Sequence, residues 1–414
     1  MAGAGHSEHQ GTCVVAWCAA AFVAACLATV PAGVPVPNAA MLALGLAGVG
    51  VVLAARFDRA GRWNQMTWWP VALILAAMVV SVLRCQLPGL AVERSTGVGV
   101  FALVAIVVQV AAWDARALGA VLWAAAATMA AVALDIGWQK ATGRSLFTGQ
   151  AGAGGRLTGS QGNQNDLAVA SLLAPLAIAA LPAMGRRWRV AACALTAAVG
   201  GLPAVLSASR QAMLAWFIGV WGSIIPRVGR RRSVVAVVVM LLVVAGAVAL
   251  TPALQARARQ TWREGVGIRE PLTAYGVTLF VDHPVTGIGP GLFGQYYQRD
   301  ARNGWSWRGT PLPKVGMPWV HSLPVEVLCE LGVVGGLAFA AALVVAVRRA
   351  WRARLGSGLQ GQVAVAVLAV LAAGFVAGLV DLTFIKDWVR CLFWLVLGLG
   401  LSCERWPRAR TGQS

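Results

Sequence analysis

Charge is scarce in this chain, and negative charge scarcest. Asp, Glu, Lys and Arg make up 12% of 414 residues, with 15 acids against 34 bases. A water-soluble globule carries about 25% charged residues. With 58% hydrophobic residues and a mean hydropathy of +0.71, this chain reads instead as an integral membrane protein. No Asp-x-Asp or similar carboxylate pair stands among the residues expected outside, which speaks against a Mg²⁺- or Mn²⁺-dependent site. A Gly-x-x-x-x-Gly-Lys loop is missing, as are Cys/His runs with metal spacing. The eight cysteines lie in or beside apolar runs without paired spacing in an exposed loop, so free thiols acting as small apolar residues are expected. Nucleic-acid motifs are also lacking, and the net charge of +19 does not by itself make a nucleic-acid partner. No repeat of 20–50 residues and no second soluble domain is visible.

What is abundant is apolar sequence in membrane-length pieces. A hydrocarbon core of about 30 Å takes about 17–25 apolar residues as a helix. Twelve such runs are readable, at 13–31, 38–55, 68–86, 97–113, 117–138, 165–184, 190–206, 211–226, 233–252, 323–347, 360–380 and 388–403. Arg56/Arg59/Arg62, Arg116, Arg186/Arg187/Arg189, Arg227/Arg230/Arg231/Arg232, Arg348/Arg349/Arg352/Arg354 and Arg405/Arg408/Arg410 occupy alternate loops. Twelve spans put all of these on the side of both termini, and the positive-inside rule makes that side cytoplasmic. The fold class expected is an all-α integral membrane protein of about twelve transmembrane helices, N-in and C-in. Residues 1–414 form a single polytopic domain, with a long outward loop, 253–322, between the ninth and tenth spans.

That loop holds eight cations: Arg257, Arg259, Arg263, Arg269, Arg299, Arg302, Arg308 and Lys314. Pro252–Glu264 has helical character, and Leu272–Val281 spaces its apolar residues as an amphipathic helix lying against the membrane or the bundle. A second outward stretch, Gln139–Asn165, is too rich in Gly and Asn to pack as a helix. Asn163 or Asn165 is placed to cap the helix that begins near Asp166.

Four kinds of residue can carry chemistry. Arg210 follows Ser207 and Ser209 at the outer end of a span; its planar fork suits two phosphate oxygens. An arginine there also serves simply to anchor the helix by snorkelling. The same two readings apply to Arg156 and Arg269. His321 stands at the outer mouth of the tenth span, where a neutral imidazole can take a hydroxyl proton near pH 7; an interfacial histidine without a partner is the plainer alternative. Glu326 and Glu330, one and two turns further in, are candidates to pair with an arginine or orient that imidazole. His283, before a proline in a turn, looks structural. Tyr296, Tyr297 and Trp305 can stack on sugar rings or anchor the loop at lipid headgroups.

Taken in order, several of these stretches resemble the O-antigen ligase / O-antigen polymerase superfamily of bacterial inner-membrane proteins. The stretches are Arg156-Leu-Thr-Gly159-Ser-Gln-Gly-Asn163-Gln-Asn165, Leu206-Ser-Ala-Ser209-Arg210, Arg269, His283-Pro-Val-Thr-Gly287-Ile-Gly289, and His321 followed by Glu330-Leu-Gly332-Val-Val-Gly335. The likeness covers roughly residues 150–340. Two departures stand out: Ser322 where many members have Asn, and Gln164 where Pro is common.

The resemblance implies a multi-spanning membrane glycosyltransferase in the bacterial inner membrane, with its active site on the periplasmic face. It needs neither metal nor cofactor, and it inverts the sugar transferred from a glycan on undecaprenyl diphosphate. It further implies that Arg210 and Arg269 hold the donor diphosphate, with Arg156 a weaker partner, and that His321 activates or positions the acceptor hydroxyl; these three, Arg210, Arg269 and His321, would be the catalytic set. Trp305 and Tyr296 join Arg156 as expected substrate contacts. The acceptor expected is lipid A–core oligosaccharide, with membrane lipids as the other partners and no obligatory protein partner. A polysaccharide polymerase and a protein O-oligosaccharyltransferase are the alternatives within the superfamily. A transporter of anionic lipid or polysaccharide is the alternative outside it; it needs polar residues at the midplane, where Asp135 is the main acid.

Overall fold

In the computed structural model, which describes residues 4–32, 38–57, 61–152, 157–181, 185–228, 246, 269–311 and 319–403, helix dominates. The described residues form thirteen α-helices: α1 (Ala4–Ala28), α2 (Asn38–Arg56), α3 (Trp69–Arg84), α4 (Pro88–Ala111), α5 (Ala115–Thr142), α6 (Ala168–Ala180), α7 (Arg186–Leu206), α8 (Arg210–Val228), α9 (Arg269–Asp282), α10 (Phe293–Arg302), α11 (Leu323–Ala353), α12 (Gly358–Gly378) and α13 (Asp387–Ser402). Six contain segments long and apolar enough to cross a membrane: α2, α4, α5, α7, α11 and α12. Part of α1, together with α3 and α6, is apolar but shorter. The run expected at 233–252 lies outside the described residues; each other expected run falls on a helix. All eight cysteines are free.

Helix ends follow local chemistry. Pro sits in the first turn of α3, α4 and α11, where its missing N–H costs nothing. The Asp114 carboxylate accepts from the Arg116 N–H at 2.6 Å and caps α5. Every residue of α6 is buried, and α5, α7, α8 and α12 pack around it. Lipid tails give no hydrophobic drive for helices to associate, so contact depends on close approach of small residues. Gly398 of α13 shows this: a Cβ there would lie 2.4 Å from Val108 and 2.5 Å from the Ala105 carbonyl of α4.

Helix α11 is broken, and the loop before it packs into the break. Gly332 has φ +64° and ψ −167°, far from helical values. The loop stretch 284–289 runs against the break and pairs with it: Ile288 N–H donates to the Cys329 carbonyl at 2.9 Å and Gly289 N–H to Glu330 at 3.0 Å. In the other direction Val333 N–H donates to Pro284 at 2.8 Å. Irregular backbone at a membrane face survives when protein satisfies it in this way.

The polar loop has a core of its own. Leu272, Tyr275 and Leu279 on one face of α9 meet Ile288, Phe293, Tyr296, Tyr297 and Val320. The expected helix is present and lies on the bundle, against α11, but its apolar residues are not confined to one face: Val277 and Val281 are exposed. Pro252–Glu264, and with it Arg257, Arg259 and Arg263, lies outside the described residues, as do Lys314 and Arg156.

Two expectations are corrected here. Neither Asn163 nor Asn165 caps α6: the residue before its first turn is Leu167, with no side-chain cap. Asp135 is not open at the midplane of a path. It is buried at the end of α5 and anchors the glycine-rich loop, accepting from the Ser145 hydroxyl at 2.8 Å and the N–H groups of Leu146 at 2.7 Å and Ser160 at 2.5 Å. Gln139, one turn on, accepts from the N–H groups of Thr158 and Gly159 at 2.9 and 2.8 Å.

Candidate functional site

Between α12 and α13 the chain makes a short turn, 379–386, and the Asp381 carboxylate is buried there with no solvent exposure. Four donors from three separate segments converge on this carboxylate. His321 Nδ1 and Trp319 Nε1, the latter at 3.1 Å, meet Oδ1. Arg269 Nη2 at 3.0 Å and the Asn165 side-chain amide meet Oδ2. A buried carboxylate with this many donors stays charged at moderate cost, because each lone pair is used.

Helix α9 sets much of this geometry. Arg269 is its first residue, so the guanidinium projects from the helix start toward Asp381. One turn on, Thr273 donates to the Val320 carbonyl at 2.9 Å and holds the strand-like segment 319–321 alongside. His321 itself has φ +60°, a left-handed conformation that costs a non-glycine residue about 1 kcal/mol or more. Its ring lies 4.8 Å from that of Trp319 and is 14% exposed. Backbone strain of this kind persists where surrounding contacts over-determine it, and here Trp319, Thr273 and Asp381 do so.

Burial pushes the Asp381 carboxyl toward neutrality. The His321 hydrogen bond and the charges of Arg269, His321 and Lys386 outweigh that and hold it below the ordinary aspartate range. An ionised Asp381 accepts only, so Nδ1 supplies the proton of their hydrogen bond; in the neutral form of the ring Nε2 is then the acceptor. The arrangement is an imidazole oriented by a buried carboxylate, with an arginine nitrogen at the carboxylate's other oxygen.

Other residues extend the cluster on two sides. On one, Ser209 donates to the Asn165 side-chain oxygen at 3.1 Å. Arg210, next in the chain and exposed, opens α8 there, and Gln211 donates to the Ala377 carbonyl at 3.3 Å, the oxygen that also accepts the Asp381 N–H. On the other side Lys386 pairs with Asp166 and lies 4.7 Å from the centre of the Trp319 ring.

The structure thus brings His321 and Arg269 to the two oxygens of Asp381, and Ser209, the chain neighbour of Arg210, reaches the same cluster through Asn165. Tyr296 and Trp305 are elsewhere, in the loop's aromatic core. Tyr296 is buried beneath Arg299, whose guanidinium carbon is 4.5 Å from the ring centre, and Trp305 packs edge-on to Tyr275 at 5.0 Å. His283 sits edge-on to Tyr296 at 6.2 Å, a packing role. Glu326 and Glu330 do not orient the imidazole or bind an arginine fork. Glu330 accepts from the N–H groups of Gly291 at 2.7 Å and Phe293 at 3.3 Å, and Glu326 from Phe384 at 2.8 Å. They tie the loop and the 379–386 turn to α11.

Asp381 and Lys386 are site residues to which the sequence assigns no role, and Asn165, expected as a helix cap, and Trp319, expected among the sugar-stacking or interfacial aromatics, donate to the carboxylate instead. The one signal for Asp381 was its type: an acid in an outward turn of a base-rich chain.

Residues 191–340 match the family model described as O-antigen ligase. The matched segment contains Arg210, Arg269 and His321 but not Asn165 or Asp381. No curated protein matches the chain. Three solved chains match. One comes from work titled "Structural coordination of polymerization and crosslinking by a peptidoglycan synthase complex"; it is 18% identical, with a TM-score of 0.48 over 84% of this chain and 100% of that one.

Proposed function

We propose, from the premise that this chain belongs through residues 191–340 to the O-antigen ligase superfamily, that it transfers a glycan from undecaprenyl diphosphate to lipid A–core oligosaccharide. The reaction takes place at the periplasmic face of the bacterial inner membrane. Arg210 and Arg269 bind the donor diphosphate, and His321, oriented by Asp381, receives the proton of the acceptor hydroxyl.

The observation that carries this reading is the shared carboxylate of Asp381, which joins an imidazole to an arginine fork. In the step proposed, the acceptor oxygen attacks the anomeric carbon on the face opposite the phosphate while its proton passes to His321 Nε2. The C–O bond to the diphosphate breaks with inversion, and undecaprenyl diphosphate leaves. Charge grows on that leaving group as the bond stretches, and arginine N–H donors directed at it lower the barrier without a metal ion. A donor phosphate would compete with Asp381 for Arg269, so binding of donor loosens the pair seen here.

The test is product analysis in proteoliposomes. Purified protein, undecaprenyl-diphosphate glycan and either lipid A–core, a second glycan-lipid or a Ser/Thr-rich peptide are mixed, and the products are weighed by mass spectrometry. Transfer to lipid A–core is expected. Elongation of the glycan-lipid instead would make the protein a polymerase, and glycosylation of the peptide a protein-directed transferase.

A further inference from the structure

A cavity of about 1270 Å³ is separate from the His321–Asp381 contact and borders it through Lys386. It lies between α2, α4, α10 and the 385–390 segment, and its walls differ in chemistry. One is apolar: Leu42, Leu46, Val49 and Val100, with Gly45 and Gly99 leaving room between them. Leu42 and Leu46 are each 65% exposed, so this wall is open sideways, where a bilayer would lie. The α2 span is only 11% buried within the protein, and its main helix neighbours are α1 and α4.

The opposite wall is polar. Two of its acid–base pairs are internally matched: Asp166 by Lys386 and Asp387 by Arg390. Arg94 and Glu93 are left without a side-chain partner among the described residues, though both line the cavity. An unpaired arginine beside a lipid-facing chamber is costly unless an anion meets it. The Arg94 stem packs on Gly291, where a Cβ would come within 2.6 Å of the arginine Cβ, so the loop fixes the base of the side chain. Next to it Glu93, Gln161 and Gln295 offer the carboxylate and amide groups that bind hydroxyls.

Resting on the functional reading above, we infer that this cavity is the docking chamber of the acceptor. It takes the lipid end of a phosphoglycolipid, with chains against α2 and α4, a phosphate on Arg94 and sugar hydroxyls on Glu93 and Gln295. The Asp166–Lys386–Trp319 contact then forms the partition between acceptor lipid and His321, and the acceptor's sugar chain passes over it to the imidazole. Donor and acceptor approach the imidazole from opposite sides, the donor from Arg210 and Arg269.

Two variants and one cross-link test this. Gly45→Leu fills the chamber, since a Cβ there meets only Val100, at 3.5 Å; Arg94→Gln removes the cation from an exposed position. Both should raise KM for lipid A–core about tenfold, as expected for loss of one charged hydrogen bond or of chain contacts, with KM for the donor unchanged. A photoreactive p-benzoylphenylalanine at Leu46 should label lipid A–core in proteoliposomes. A rise in the donor KM with labelling of undecaprenyl-diphosphate glycan would assign the chamber to the donor and overturn the proposal. Unchanged KM values, or labelling of phosphatidylglycerol alone, would also overturn it. If the wild type transfers nothing, the functional reading fails by itself, and the Leu46 label still decides what the chamber binds.

Discussion

Asp381 accepts a hydrogen bond from His321 Nδ1 across 60 residues of sequence, and its other oxygen takes Arg269 at 3.0 Å. The histidine is therefore held by a buried carboxylate and is not an isolated interfacial ring. Asp381→Asn keeps the volume but removes the charge that selects the Nδ1–H tautomer. The expected loss is about 10²–10⁴-fold in kcat, with no rise in donor KM, because Asp381 competes with the donor phosphate for Arg269. A steady-state kcat/KM split for both substrates checks it.

The same carboxylate links stability to pH. Its folded-state pKa is depressed, so its contribution is complete above the ordinary aspartate value of about 3.9 and fades as pH falls below that, through the lower folded value. The melting-temperature gap between wild type and Asp381→Asn should therefore be constant from pH 5 to 7 and shrink as pH drops below about 4. Differential scanning fluorimetry in detergent would show it; a gap that widens on acidification would contradict the assignment.

Arg210 and Arg269 are expected to act through their forks. Lysine keeps the charge but not the planar, two-pronged donor set. Arg210→Lys and Arg269→Lys should each weaken donor use by about tenfold or more. Full activity in Arg210→Lys would remove the bidentate phosphate role from that residue.

The break in α11 yields a folding prediction. Gly332 (φ +64°) and Gly287 (φ +68°) face each other's segments so closely that a Cβ on either would lie 2.3 Å from a backbone carbon. Alanine at either position meets both a left-handed backbone and a clash that nothing flexible can relieve. A loss of roughly 3 kcal/mol or more is expected, in the range of severe core defects. Monodisperse yield on fluorescence-detected gel filtration should collapse for Gly332→Ala and Gly287→Ala.

The helices were legible because membrane spans write themselves as runs: hydropathy found α4, α5, α11 and α12 without any tertiary knowledge. Arg210, Arg269 and His321 were legible as out-of-place polar groups at span ends. Asp381 was not, since its value comes from converging on residues 60, 112 and 216 positions away, and no local pattern records that. Asn165 shows the same limit. Local rules made it a helix cap, whereas a buried carboxylate offered its amide a better partner. Glu326 and Glu330 have the periodicity expected of inward-facing acids on α11, but periodicity does not show that backbone N–H groups of the loop would occupy them.

The central claim is that His321 carries the acceptor's proton, and it is tested most directly by single-turnover transfer with His321→Ala. Wild-type protein and variant are reconstituted side by side with undecaprenyl-diphosphate glycan and lipid A–core, and coupled product is quantified over time. Loss of a general base should slow the chemical step by about 10²–10⁴-fold while donor binding is retained. Coupling by His321→Ala at the wild-type rate would contradict the account.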